Sequence, residues 1–209
     1  MIQIMTKSKD HWEKIYQAKS PLEVSWYQSE PGLSLKLIKN CSLNKNDAII
    51  DIGGGASLLV DKLCELGYQQ ISVLDISDNA LQHARDRLTN KAGEIEWITA
   101  DITEFSPAQQ FSLWHDRAVF HFLTAASDRK KYIDNLTTSL KPGGYLILAA
   151  FSIGGPTMCS GLEIVQYDRS KLQNELGKPF RFIDEKNETH ITPGNTEQVF
   201  TYYRFQKEN

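Results

Sequence analysis

Apolar runs and amphipathic stretches alternate through the middle of the chain. AIIDI (48–52) is apolar on both faces and ends in glycines, the pattern of a strand buried within a sheet. SLLVDKLCELG (57–67) then predicts a helix closed by Gly67. ISVLDI (71–76) predicts a second strand, and DNALQHARDRLTN (78–90) a helix capped by Ser77 or Asp78. EIEWITA (94–100) and FSLWHD (111–116) predict the third and fourth strands. DRKKYIDNLTTSLKPGG (128–144) predicts a helix ended by Pro142 and two glycines, and YLILAAF (145–151) the fifth strand.

The ends of the chain follow other patterns. Residues 9–19 set Trp12, Ile15 and Tyr16 at helical spacing before Pro21, and Gly32–Lys39 predicts a second short helix after the irregular LEVSWYQSEP. Towards the C-terminus RSKLQNELG (169–177) predicts a helix. PFRFIDEKNETHI (179–191) and EQVFTYYRFQK (197–207) alternate apolar and polar residues around a TPGN turn, an antiparallel pair expected at one edge of the sheet. Strand and helix alternating for more than a hundred residues imply a doubly wound, mainly parallel α/β sheet with helices on both faces.

Composition narrows this picture. A chain of 209 residues, 41% hydrophobic and 23% charged, suits one domain (1–209) with residues 1–45 as a helical lead-in. No apolar run approaches the ~18 residues of a membrane span, and the opening MIQIMTKSKDHWEK lacks the features of a secretion signal, so a cytoplasmic location is expected. Cys41, Cys64 and Cys159 are far apart and odd in number, and the histidines form no HExxH-type pair; neither a disulfide framework nor a metal site is expected. A net charge of −3 without a long basic run argues against nucleic acid as the main partner. A monomer or weak dimer is the expected state.

The candidate chemistry gathers at strand ends. In DIGGGASLL the chain leaves a strand, turns sharply and enters a helix, which glycine permits because it has no Cβ. Gly53 and Gly55 are followed by Leu58 where a dinucleotide fingerprint needs a third glycine, and GxxxxGK[ST] is absent, so phosphate binding is disfavoured. Taken alone, Gly53, Gly54 and Gly55 also read as a tight turn. Asp51, just before the loop, suits a cationic amino group. Asp75 ends the second strand, where related sheets place a carboxylate on a ribose diol; its other reading, a helix cap, falls better to Ser77 or Asp78. Asp101 closes the third strand, where its carboxylate suits an adenine amino group while the Ile102 N–H reaches a ring nitrogen.

These residues resemble the class I S-adenosylmethionine-dependent methyltransferase family over nearly the whole chain. Asp51 to Ser57 is similar to the family's motif I, Asp75 with Ile76 to its ribose site, and Asp101 with Ile102 to its adenine site. LWHDRAVFHFL (113–123) resembles motif IV and LKPGGYLILAAF (140–151) the strand-five motif. Ser57 departs from the pattern, standing where the family often has a third glycine. The resemblance implies a seven-stranded sheet of order 3-2-1-4-5-7-6 with strand seven antiparallel, S-adenosylmethionine as donor, and HWEKIY with VSWYQ as a lid over it.

Methyl transfer from a sulfonium is an in-line displacement that needs no covalent enzyme intermediate, so site residues are expected to position rather than react. Asp116, at the end of strand four, is the expected contact to the donor's methionine end and the acceptor; its other reading is a salt bridge to Arg117. His115 and His121 flank it as catalytic candidates or as hydrogen-bonded wall residues. Trp26, beside Tyr27, offers an aromatic face to a sulfonium or packs the lead-in against the core. Arg117, His121, Cys159 and Tyr167 are the expected acceptor-side residues. A small-molecule acceptor is the expected partner. A protein lysine is the alternative, prompted by the WYQ-type lead-in; the absence of a [DN]PPY-like tetrapeptide disfavours adenine and glutamine acceptors. A donor-binding regulator without turnover is a third reading, and a Cys/His hydrolase is disfavoured because it leaves three strand-end acids unexplained.

Overall fold

A residue buried on both faces of a sheet has no polar side to offer, and the apolar runs of the middle region form strands accordingly. The computed structural model describes residues 2–208, with side chains from Ser8 onward. Its strands are β1 (Ile49–Ile52), β2 (Ile71–Asp75), β3 (Ile95–Thr99), β4 (Phe111–Arg117), β5 (Leu140–Phe151), β6 (Met158–Cys159), β7 (Leu162–Glu163), β8 (Phe180–Ile191) and β9 (Glu197–Lys207). Seven of them form one sheet in the order β3-β2-β1-β4-β5-β9-β8, while β6 and β7 pair only with each other. β1 to β5 pair in parallel, and β9 runs antiparallel to both β5 and β8. With the small hairpin set aside, this is the expected order.

Six α-helices flank the sheet: α1 (Ile2–Ala18), α2 (Gly32–Lys39), α3 (Leu59–Glu65), α4 (Asp78–Leu88), α5 (Ala126–Ser139) and α6 (Arg169–Leu176). Alternation along the strands divides the core in two. Ile49, Leu113, Ile147 and Ala149 pack with Leu37, Leu63 and Leu81 of α2, α3 and α4. Ile50, Trp114, Leu146 and Leu148 pack on the other face with Tyr132, Leu136 and Leu172 of α5 and α6. Ser77 caps α4, its Oγ accepting from Ala80 N at 3.1 Å, so Asp75 is free of that duty.

One segment differs from the sequence reading. α5 stops at Ser139, short of Pro142, and Leu140 already pairs with Phe111. Proline gives no N–H to a helix and turns the residue before it toward extended backbone, so the chain enters β5 early. In the C-terminal hairpin, β9 lies between β5 and β8, as expected, and residues 200–205 are all buried; of the pair, β8 is the edge strand, where Arg181, Glu185 and Lys186 are charged. Among the described residues no helix is long and apolar enough to cross a membrane.

Candidate functional site

The glycine loop leaves β1 where the strand order reverses, the place at which open α/β sheets receive ligands. Gly53 (φ +67°) and Gly55 (φ +35°) hold backbone that side chains disfavour. Their lack of a Cβ also makes room: one on Gly53 would run into the Val119 side chain, and one on Gly55 would stand 2.6 Å from Asp75 Oδ2. Gly54 gives the same clearance to Asp51, whose Oδ2 lies 2.6 Å from the place of a Cβ. Ser57, at the family's third glycine position, has its Oγ accept from Leu59 N at 3.1 Å, a local bond at the start of α3.

Two adjoining cavities open over this loop. The larger, about 340 Å³, is lined by Asp75, Ile76, Asp101 and Ile102 at and after the ends of β2 and β3, by Gly53 and Val119 after β1 and β4, by Cys159 of β6 and Phe200 of β9, and by Trp12, Tyr16 and Trp26. The smaller, about 50 Å³, is lined by Asp51, Gly53, Gly54, Ser57, His115 and Arg117. Trp26, Tyr16, Gly53 and Arg117 border both. The larger volume lies within the ~300–1,000 Å³ range of small-molecule pockets.

The three strand-end acids differ in setting. Asp75 is 7% exposed, and burial lifts its carboxyl to about 7, with Asp51 and Glu13 adding to the rise; the Ser77 N–H, 2.9 Å from Oδ1, opposes it. Asp101 Oδ1 accepts from both the N–H and the hydroxyl of Thr103 at 2.8 Å, which fixes the carboxylate at the cavity wall. Asp51 Oδ1 lies 2.7 Å from His115 Nδ1, and His115 Nε2 lies 2.9 Å from Ser34 Oγ on α2. This buried row follows from register, because Asp51 and His115 are paired positions on β1 and β4. His115 thus holds Asp51.

Alternation also separates the next two residues of β4. Arg117 shares the His115 face and reaches both cavities, whereas Asp116 shares the face of Trp114 and lines neither. Adjacent strand residues point apart, so Asp116 and Arg117 form no salt bridge among the described residues. Asp116 is fully buried; its carboxylate accepts from the Tyr132 hydroxyl at 2.6 Å and from the N–H groups of Val119 at 2.8 Å and Phe120 at 3.1 Å. Burial raises its carboxyl to about 6, with Tyr132 and these N–H groups opposing. Asp116 was the expected contact to the donor's methionine end; its carboxylate instead holds the turn at Ala118 (φ +73°) and Val119, two residues that line the larger cavity.

Two further expectations change. His121 is fully buried between Phe122 and Phe151, lines neither cavity, and has no partner for either ring nitrogen among the described residues. Burial, with the Arg117 charge, lowers its pKa to about 3, so it is neutral and a weak base. Tyr167 is fully buried against Phe120 on the α5–α6 side, also away from both cavities. Cys159 does line the larger cavity, and burial pushes its thiol up.

The lead-in closes the site more tightly than its spacing alone reveals. Trp26 Nε1 donates to the Tyr16 hydroxyl at 3.1 Å, and Trp26 stands edge-on to Trp12 at 5.6 Å. Glu13 accepts from Ser77 Oγ and Asp78 N, each at 2.9 Å, which ties α1 to the N-terminus of α4. Ser34, Glu13, Phe122 and Phe200 escaped sequence reasoning because each meets the site through a distant element. Strand alternation marks Phe200 as core, Glu13 and Ser34 are ordinary polar helix positions, and Phe122 lies in a 3-10 turn without a period. Among the described residues, no cluster of three or more metal-ligating side chains occurs.

This arrangement fits a nucleoside joined to an amino acid. Acids face where hydroxyls and amino groups would lie, bare glycine backbone permits close approach, and none of these groups suits a pyrophosphate. A family model described as a methyltransferase domain matches residues 49–144. The ubiquinone/menaquinone biosynthesis C-methyltransferase UbiE of Francisella tularensis subsp. novicida (strain U112) is 32% identical over 120 residues, covering 55% of this chain and 47% of that protein. The eEF1A lysine and N-terminal methyltransferase of Bos taurus is 23% identical over 158 residues, covering 74% of this chain and 21% of that protein. The chain spans less than half the length of these curated relatives. Among solved structures, the N-methyltransferase NodS from Bradyrhizobium japonicum WM9 in complex with S-adenosyl-l-homocysteine is alike in fold, with a TM-score of 0.66 at 18% identity over 99% of this chain and 98% of that one.

Proposed function

We propose that this chain, matched over residues 49–144 by a methyltransferase-domain model, is a class I S-adenosylmethionine-dependent methyltransferase that transfers a methyl group from S-adenosylmethionine to a small-molecule acceptor. The observation that carries this reading is the convergence of Asp75 and Asp101 on one cavity, with Asp51 in the adjoining one. Asp75 with Ile76 takes the ribose, Asp101 with Ile102 the adenine, and Asp51 with Gly53, Gly54 and Gly55 the methionine end. Trp26 covers the donor from the lead-in. The bound donor supplies a methyl group on a positively charged sulfur, open to in-line displacement.

The chain's own part is orientation and exclusion of water, which together supply much of the rate of such a displacement. His115 holds Asp51 in place through the 2.7 Å contact, and Asp116 holds the turn beneath the donor. No proton transfer is assigned to His121, whose neutral ring is walled off from both cavities. Arg117 and Cys159 face the acceptor. The aromatic roof of Trp12, Tyr16 and Trp26 supports an acceptor small enough to lie beneath it.

The test uses methyl-labelled S-adenosylmethionine with the full chain and, in parallel, a small-metabolite extract and lysate protein. Label is expected in the metabolite fraction. Label on protein alone would transfer the assignment to a protein acceptor, and binding without label on either would leave a donor-binding regulator.

A further inference from the structure

Strand order separates two groups of residues along the larger cavity. Asp75 ends β2 and Asp101 follows β3, on one side of the glycine loop; Ala118 follows β4, Cys159 lies in the hairpin after β5 and Phe200 stands on β9, on the other. Aromatic contacts join the second group to the lead-in. Trp12 stands edge-on to Phe122 at 5.1 Å and to Trp26 at 5.6 Å, and all three line the cavity. With the donor's nucleoside on Asp75 and Asp101, the acceptor falls to the side of Phe122, Cys159 and Phe200.

Among the described residues, that side offers a charged acceptor no open partner and no group to take its proton. Arg117 is a cation already held by the Tyr202 hydroxyl and the Trp26 carbonyl, with Glu188 at 3.9 Å. Cys159 keeps its proton, because burial pushes the thiol up. Burial does the same to the Tyr16 hydroxyl. His121 stands behind Phe122, neutral and open to neither cavity. Asp75 belongs to the ribose and lies across β1 from this side.

Charge then decides among acceptors. An aliphatic amine arrives protonated and a hydroxyl has a proton to lose, and neither finds a base. A thiolate would be a buried anion without a partner, beside a wall where Cys159 itself stays a thiol. A pyridine-type nitrogen has its lone pair free at neutral pH and sheds nothing. Its attack forms the N–CH3 bond as the S–CH3 bond breaks; sulfur keeps the bonding pair as a neutral thioether, and the positive charge passes to the ring. Donor and acceptor together keep the same charge throughout, and aromatic walls favour a delocalised cation.

Resting on the methyltransferase reading, we infer that the acceptor is a flat, uncharged heteroaromatic base, held between Trp12, Phe122 and Phe200 and methylated at a ring nitrogen.

The full chain with methyl-labelled S-adenosylmethionine tests this on probes of similar size: isoquinoline, 2-naphthol, 2-naphthalenethiol and 2-naphthylmethylamine. Label is expected on isoquinoline at least tenfold faster than on any of the others, after subtraction of the rate without protein. Phe200→Leu should raise the KM for isoquinoline at least fivefold and that for S-adenosylmethionine less than twofold. Phe200→Met serves if the Leu variant does not fold.

Faster labelling of the naphthol, thiol or amine overturns the inference, as does label on no probe by a chain that binds S-adenosylhomocysteine. So does an isoquinoline KM unmoved in the folded variant, because the acceptor would then lie elsewhere. If the wild type bound no S-adenosylhomocysteine, the methyltransferase reading would fall and this inference with it.

Discussion

Burial at the end of β2 lifts the Asp75 carboxyl to about 7, and burial under the sheet lifts Asp116 to about 6. Both hold a proton in the folded chain where the unfolded chain has lost it. The stability they contribute is therefore complete below about pH 4 and fades as pH rises through 6 and 7. Ligand binding runs the other way, since ribose hydroxyls donate best to an ionised carboxylate. S-adenosylhomocysteine affinity is expected to rise about tenfold from pH 6 to pH 8, and Asp75→Asn to flatten that rise; calorimetry across pH checks both. Asp51, Asp75 and Asp101 were legible because each closes an apolar run, a signal carried by sequence position alone. Asp116 closes one too, but it shares the parity of Trp114, whereas Asp51 is in register with His115. Which face that parity meets depends on partner strands. His121 and Tyr167 lie in a short 3-10 turn and an irregular loop, where no period tells inward from outward.

At the scale of elements, one carboxylate ties α1 to α4, beside the 3.3 Å contact of His83 Nε2 with the Tyr16 carbonyl. Glu13 accepts hydrogen bonds from Ser77, Asp78 and Asn79, and these bonds lower its pKa against the opposing effect of burial. That contribution is present above about pH 4.5 and is lost as pH falls through the lowered pKa. Glu13→Ala should cost about 1 kcal/mol, the scale of a lost helix cap. It should also speed S-adenosylhomocysteine release several-fold, because Trp12 and Tyr16 on the same helix roof the cavity. Thermal unfolding and stopped-flow dissociation read the two effects. An unchanged release rate would mean that α1 is not a lid. Helical spacing in HWEKIY foretold the helix but not its dock, 64 to 66 residues away. The end of α5 was misplaced by a related limit: proline marks where a helix cannot continue, not where strand pairing first captures the chain.

For the molecule as a whole, the strand order was legible because βαβ crossovers in a parallel sheet admit few arrangements, and a final alternating pair has to run antiparallel. The acceptor end was less legible, since Arg117, Cys159 and Phe200 come from β4, a short hairpin and β9 and meet only after folding. The central claim is that strand-end carboxylates around a bare glycine loop hold a nucleoside bearing an amino acid, without a phosphate site. Isothermal calorimetry with S-adenosylhomocysteine and with NAD, on the wild type and Asp75→Ala, tests it most directly. One S-adenosylhomocysteine per chain, no NAD binding, and at least tenfold weaker binding in a folded Asp75→Ala are predicted. NAD bound as tightly as S-adenosylhomocysteine, or an Asp75→Ala protein that binds like the wild type, would contradict it.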